Sequence, residues 1–228
     1  MAKATNKSDE WIEKVVRDYP SIVMDDGCIR TCPVRLTFPA IFKPNENDNG
    51  DLVYGTGLLF PAGAPADIYL NACYELVQGN LPEALQEGGP AVHNPLHDQG
   101  EKSARYDGYV PGALLITANS QQRVPCVDQR MAPITDPGRV YPGVWAICQI
   151  RPYWFNVKQK KKGPTFGLNA VMIVADDEDI SGGSVDVNKV FGGIKIEAGV
   201  APSAAFGVGA IGGNTGQTEA PRRSLFGR

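Results

Sequence analysis

The chain has 228 residues, 43% hydrophobic and 21% charged, with 26 glycines, 18 prolines and a net charge of −3. That length suits one large domain or one domain with tails, and the glycine and proline content favours many short strands over a helical bundle. The polar stretch MAKATNKSDE and the lack of any apolar run of about 18 residues predict neither a secretory leader nor a membrane span. Five cysteines, an odd number, then read as free thiols in a reducing cytoplasm.

SDEWIEKVVRDYP predicts a short helix: Ser8 caps it, Asp9 and Glu10 occupy the first turn, Arg17 the last, and Pro20 stops it. Its docking stripe is Trp11, Val15 and Tyr19, four residues apart. PVRLTF reads as a strand with Val34, Leu36 and Phe38 on one face and Arg35 and Thr37 on the other. FKPNENDNGD is a loop, and LVYGTGLLFP a second strand whose two glycines signal a bulge or strong curvature. A helix over residues 65–78 follows, with Ile68, Ala72 and Leu76 along one side, then a short helix in LPEALQE ended by Gly88, Gly89 and Pro90.

Residues 90–112 are irregular. GALLITANS and RVPCVD read as strands, and GVWAICQIRPYWFNV as the longest strand, with Pro152 marking a bulge or an edge. On its alternation Trp145, Ile147, Gln149, Arg151, Tyr153, Phe155 and Val157 share a face, opposite Cys148, Ile150 and Trp154. A lysine-rich turn leads to TFGLNAVMIV, where Phe166, Leu168, Ala170, Met172 and Val174 alternate with Gly167, Asn169, Val171 and Ile173. The order strand, strand, helix, strand, hairpin is compatible with a small Greek-key barrel. From about Ala198 the chain turns Gly- and Ala-rich and reads as a flexible tail.

Charge is unevenly placed. Residues 46–101 carry nine acids and no Lys or Arg, whereas residues 102–162 carry ten bases against Asp107, Asp128 and Asp136. A basic stripe interleaved with aromatic residues suits a polyanion whose bases stack while its phosphates are neutralised. Candidate phosphate contacts are Arg123, Arg130, Arg139, Arg151, Lys158, Lys160, Lys161 and Lys162. Candidate stacking rings are Tyr106, Tyr109, Tyr153, Trp154 and Phe166, some of which must also fill the core. The residue 65–78 helix has no basic side chain, which disfavours duplex reading by a recognition helix.

Enzyme signatures are thin. Phosphate-loop, dinucleotide-binding and nucleophile-elbow motifs are missing, and His93 and His97 flank Pro95, which bars a regular helix from placing both on one face. Cys28 and Cys32 lie about 60 residues from that pair, far beyond zinc-finger spacing, and read as buried thiols. The acidic run Asp176 to Asp179 reads as a solvated turn. No catalytic residue, metal site or cofactor is assigned.

RLTFPAIFKPNENDNGDLVYGTGLLFP, DGYVPGALLITANSQQRVPCVD, VYPGVWAICQIRPYWF and GPTFGLNAVMIVADDEDISGG, with Phe191-Gly192-Gly193, occur in an order that resembles a family of tailed-phage replicative single-stranded DNA-binding proteins. The likeness covers residues 33–193. It implies a mainly β, OB-fold-like Greek-key barrel with one or two inserted short helices, no enzymatic activity, and protection of single strands during phage replication and recombination in the host cytoplasm. It transfers no individual DNA contact. Proteins of this kind commonly end in an acidic tip that recruits partners, whereas this chain ends TEAPRRSLFGR. Self-association and contacts to replication or recombination proteins through that tail stay open. The expected organisation is a helical appendage at 1–27, a DNA-binding domain at 28–197 and a tail at 198–228. Two rivals remain: an interaction module that sets the basic patch against an acidic partner, and a metal-dependent nuclease using Asp176 to Asp179 or a site of His93, His97 and cysteine.

Overall fold

The computed structural model describes residues 5–47, 50–157 and 161–181. Lys158, Lys160, Phe191-Gly192-Gly193 and the 198–228 tail lie outside them.

The chain begins with helix α1 (Asp9–Asp18), capped by the Ser8 side chain, which accepts from the Trp11 N–H. Its docking stripe is Trp11, Ile12, Val15 and Val16, all half-buried, with Trp11 edge-on to Trp145 at 5.3 Å between centroids. Tyr19 does not join the stripe. It sits at the C-cap with non-helical torsions and is 54% exposed.

The strands are β1 (Ile22–Val23), β2 (Ile29–Arg30), β3 (Val34–Glu46), β4 (Leu52–Leu59), β5 (Leu96–Asp98), β6 (Leu114–Ser120), β7 (Cys126–Val127), β8 (Trp145–Val157) and β9 (Lys161–Ala175). Helix α2 (Asp67–Asn80) connects β4 to the 90s, and LPEALQE forms a 3-10 turn at Pro82–Leu85 in place of an α-helix. Proline at its first position and Gly88 at φ 76° leave too little helical chain for more. A four-residue helix α3 (Gly100–Ser103) precedes β6.

Sheet order explains the architecture. β3, β4 and β6 form an antiparallel meander, β3 pairs antiparallel with β8, β8 with β9, and β9 returns parallel to β6. These five strands close a ring, while β1 and β2 extend from β8 and β7 lies along β9. The ring interior holds Val34, Leu36, Leu58, Ile116, Ala118, Ala146, Cys148, Ile150, Phe166 and Leu168, each no more than 2% exposed. α2 closes one side by burying Tyr69, Cys73 and Val77, and the Tyr69 ring meets both Phe60 and Phe166 edge-on.

Two irregularities reset the expected faces. A bulge between Thr37 and Ala40 interrupts the β3–β4 register, and Phe38 adopts φ 47°. The ring of Phe38 therefore leaves the Val34/Leu36 face and is 52% exposed. In β9, Gln149 pairs with Ala170 but Ile150 pairs with Leu168, so Asn169 is an extra residue. The inward set switches there from Phe166 and Leu168 to Val171 and Ile173. Pro152 itself causes no bulge, since it pairs with Phe166 in regular register. Beyond Ile150, β8 is bonded by β9 on one side alone among the described residues, an edge position that tolerates proline.

All five cysteines are buried and free. Burial pushes the Cys73 and Cys126 thiols up to about 11 and raises those of Cys32 and Cys148. They act as small apolar side chains, consistent with the inertness expected of buried thiols.

Candidate nucleic-acid interface

The outer surface of the ring has a covered half and an open half. In the covered half Arg35, Leu59, Leu115 and Trp145 point outward yet are buried, because α1, the Tyr106–Tyr109 loop and Ile180 lie over them. The anchor is Asp177. Its carboxylate meets the Arg35 Nε at 3.3 Å, accepts from the Trp145 indole N–H at 2.7 Å, from the Asn6 N–H at 2.8 Å and from the Glu178 N–H at 2.7 Å, and also accepts from the Thr5 hydroxyl. The acidic run is thus not a solvated turn throughout. Burial favours the neutral Asp177 acid, but the donors from Thr5, Asn6, Glu178 and Trp145 outweigh it and hold the carboxyl below its ordinary range. Arg35, whose burial lowers its pKa against the pull of Asp177 and Glu178, donates from Nε to the Gly143 carbonyl and from Nη2 to that of Glu178.

The open half is a row of directly paired residues. Opposed residues on adjacent strands share a face, so Ala40, Gly55, Asn119, Gly167 and Arg151 line up across β3, β4, β6, β9 and β8. At about 4.8 Å between strands, the row is about 19 Å across. Its floor is low because it must be. A Cβ on Gly55 would stand 2.2 Å from the Asn119 Oδ1, and one on Gly57 would stand 2.4 Å from the Thr37 Cγ2. The two glycines read from the sequence as a bulge signal are the floor of this face.

Aromatic side chains stand at both ends. At the β8 end Tyr153 is 43% exposed and crosses Gly167, where an added methyl would lie 3.6 Å from the tyrosine Cε1. Arg151, exposed, lies two residues before it, and Lys161 and Lys162 pair with Val157 and Asn156 toward the hairpin tip. At the β3 end Phe38 stands edge-on to Tyr106 at 5.2 Å, Tyr106 meets Tyr109 at 5.7 Å, and the Tyr109 hydroxyl bonds the Thr37 hydroxyl at 3.0 Å. A non-glycine residue at positive φ costs about 1–3 kcal/mol and persists where its surroundings fix it, as this chain of contacts does.

The predicted residues therefore separate. Arg151 and Tyr153 share one end of the open face, with Lys161 on the same face nearer the hairpin tip; Lys162 falls on the Trp154 side of the hairpin, and Tyr106 lies at the other end of the face, half-buried. Phe166 is 1% exposed inside the ring and Tyr109 is 7% exposed beneath Tyr106, so neither offers a ring face to a ligand. Both fall on core positions because apolar contacts within the fold claim them first. Trp154 projects to the opposite side of β8 from Tyr153, paired with Pro164, and is half-buried. Arg123 is exposed four residues past Asn119, its guanidinium 6.0 Å from the Phe42 centroid. Arg130 and Arg139 line a separate polar recess with Asp128 and Asp176 near the end of β9. Seven residues of strand separate Gly167 from Val174 there, about 23 Å. Phe38 is the residue that strand alternation missed.

Metal chemistry finds no cluster: among the described residues no three His, Cys, Asp or Glu side chains are grouped to hold an ion. Cys28 packs at β2, where its sulfur accepts from the Asn169 amide, whereas His93 lies edge-on to Phe155 at 5.3 Å and hydrogen-bonds through its N–H to the Lys162 carbonyl. Among the described residues no helix is long and apolar enough to cross a membrane.

A five-stranded Greek-key ring in which the first strand pairs with the fourth and the third runs parallel to the fifth is an OB barrel, a class that binds oligonucleotides or oligosaccharides on its second and third strands and two flanking loops. Here those strands are β4 and β6. The family model described as the Enterobacter phage Enc34 ssDNA-binding protein matches residues 28–201, about three-quarters of the chain, and the chain belongs to that family. No curated protein matches it in sequence. Among solved structures, it is similar to the single-stranded DNA-binding protein from bacteriophage Enc34 in complex with ssDNA, at 21% identity and TM-score 0.55, over 70% of this chain and 92% of that one. It is also similar to gp2.5, a single-stranded DNA-binding protein encoded by bacteriophage T7, at 15% identity and TM-score 0.51, over 72% and 99% of the two chains.

Proposed function

We propose that this chain is a non-enzymatic, sequence-tolerant single-stranded DNA-binding protein that coats and protects transient strands during phage DNA replication and recombination, in the cytoplasm of the bacterial host. The observation that carries the reading is the open half of the barrel: a low glycine floor between Tyr153 and Phe38, edged by Arg151 and Lys161. Bases stack on exposed rings, each worth about 1–3 kcal/mol, while basic side chains track the phosphates. In this reading residues 28–197 make the DNA-binding domain, 1–27 an appendage and 198–228 a tail.

Phosphate neutralisation has a measurable signature. With about five contacts, log K for a single-stranded thirty-mer falls against log salt with a slope of about −3.5. Fluorescence anisotropy against the strand and its duplex checks this, and the single strand is expected to bind far more tightly. A salt-insensitive affinity, or equal affinity for the duplex, would defeat the proposal. Cleavage of either substrate in magnesium, manganese or zinc would replace it with a nuclease.

A further inference from the structure

Beside Phe38 the open face sinks into a cavity of about 140 Å³, lined by Thr37, Asn45, Lys102, Thr117 and Asn119 as well as the Phe38 ring itself. The volume is on the scale of one planar base, not a whole nucleotide. Its walls are built from three elements held in fixed relation. β4 supplies the glycine floor, β6 the exposed Thr117 and Asn119, and the Tyr109–Thr37 hydrogen bond ties the Lys102–Tyr109 segment to β3. Lys102 is exposed, and neither its ammonium nor the Asn45 and Asn119 amides bond another described residue.

Such a cavity differs chemically from the Tyr153 end of the face. There an exposed ring offers a stacking surface, which every base satisfies. Here a stacking ring stands over a recess with two amides and a cation at its rim. A lysine ammonium has three donors and no acceptor, so it discriminates in favour of a carbonyl on the base edge. Guanine O6, thymine O2 and O4, and cytosine O2 meet that need. Adenine has no carbonyl and accepts through its ring nitrogens alone, two of which, N1 and N7, flank an amino group that Lys102 repels, so it is the weaker partner.

We infer that this recess is a base-edge pocket that seats one nucleobase against Phe38 and favours carbonyl-bearing bases over adenine through Lys102. The inference rests on the single-stranded DNA reading and adds to it a position of modest base preference on a face that is otherwise sequence-tolerant. Phe38 is the seat, and the strained bulge that exposes it is what places the ring over the recess.

The test compares wild type with Lys102→Met, an exposed substitution that keeps the alkyl stem, against oligo(dT) and oligo(dA) of equal length. The stiffness of each homopolymer is common to both proteins and cancels in the ratio of affinities. Loss of one charge-assisted hydrogen bond reduces the dT-to-dA preference about tenfold, with the salt slope for oligo(dA) unchanged. If Lys102 contacts a phosphate instead, both affinities fall together, the ratio holds and the slope flattens by about 0.7. That outcome overturns the pocket and leaves single-strand binding intact. A Phe38→Leu variant provides the second arm: weaker binding to oligo(dT) with the fold preserved by circular dichroism supports the seat, and unchanged binding removes it. Wild type that binds neither oligonucleotide would instead defeat the single-stranded DNA reading on which the pocket depends.

Discussion

Replacing Lys158, Lys160, Lys161 and Lys162 together by alanine is expected to flatten the salt dependence of single-strand binding by nearly 3 log units per log unit of salt, at about 0.7 per phosphate contact. By the same relation, affinity at 0.1 M salt falls several hundredfold, to the level that wild type shows at about 0.6 M. The charge sits on a hairpin whose β8–β9 register continues through Asn156–Lys162 to Val157–Lys161, so the flanking strands stay paired when the side chains are shortened. Thermal stability should be nearly unchanged, because surface lysine charges contribute little to folding, and of the described pair Lys161 is exposed and Lys162 half-buried. Anisotropy at three salt concentrations, with a melting curve for each protein, measures both quantities. A folded variant that binds as wild type does would assign the hairpin to solvent and move the electrostatic contacts to Arg123 and Arg151.

Asp177→Ala is expected to produce the largest loss of stability, about 3–5 kcal/mol, the range for removing one member of a buried ion pair. The loss is large because Arg35 stays behind at 5% side-chain exposure with its Nη1 already lacking a hydrogen-bond partner among the described residues. Trp145, Asn6 and Thr5 also lose their acceptor, which releases the segment leading into α1. The sign of the pH dependence follows from the lowered Asp177 carboxyl. Its contribution is complete above the unfolded carboxyl pKa of about 3.9 and disappears as pH falls through the lower folded value, so wild type and variant converge in strong acid. Urea denaturation at pH 7 and in acid checks both points. A constant gap between the two proteins down to the acid limit would mean that the carboxylate charge is irrelevant there.

Local signals in the sequence were legible where a single element decides the outcome. Ser8 and Pro20 bracket α1, the β4 glycines announce an irregular strand, and the apolar run at 144–157 marks the long β8. The order of elements was enough to suggest a Greek-key barrel, and the resemblance to phage proteins supplied the OB class. What alternation could not show was the effect of one extra residue. The bulge at Thr37–Ala40 turns Phe38 from a core position to the open face, and the extra Asn169 hands the β9 interior to Val171 and Ile173.

Long-range pairing was equally hidden. Arg35 lies in a strand pattern that predicts exposure, and Asp177 in an acidic run that predicts solvent, yet they bury each other across 142 positions of sequence. The stacking candidates illustrate a different limit. Tyr109, Tyr153 and Phe166 are all aromatic residues in or near the basic stripe, but only Tyr153 stands on an open part of the ring, while the others are consumed by the packing that makes the ring closed. Arg130 and Arg139 belong to the same charge stripe in sequence and to a different end of β9 in space.

The central claim is that a single strand lies on the open half of the barrel between Tyr153 and Phe38. Photocrosslinking of a thirty-mer carrying 5-iododeoxyuridine, followed by peptide mass spectrometry, tests it most directly, since the halogenated base joins the aromatic residue on which it stacks. Adducts are expected at Tyr153 and Phe38, with none at the buried Phe166. Adducts confined to the Arg130–Arg139 recess or to Trp154 on the far side of β8 would contradict the claim.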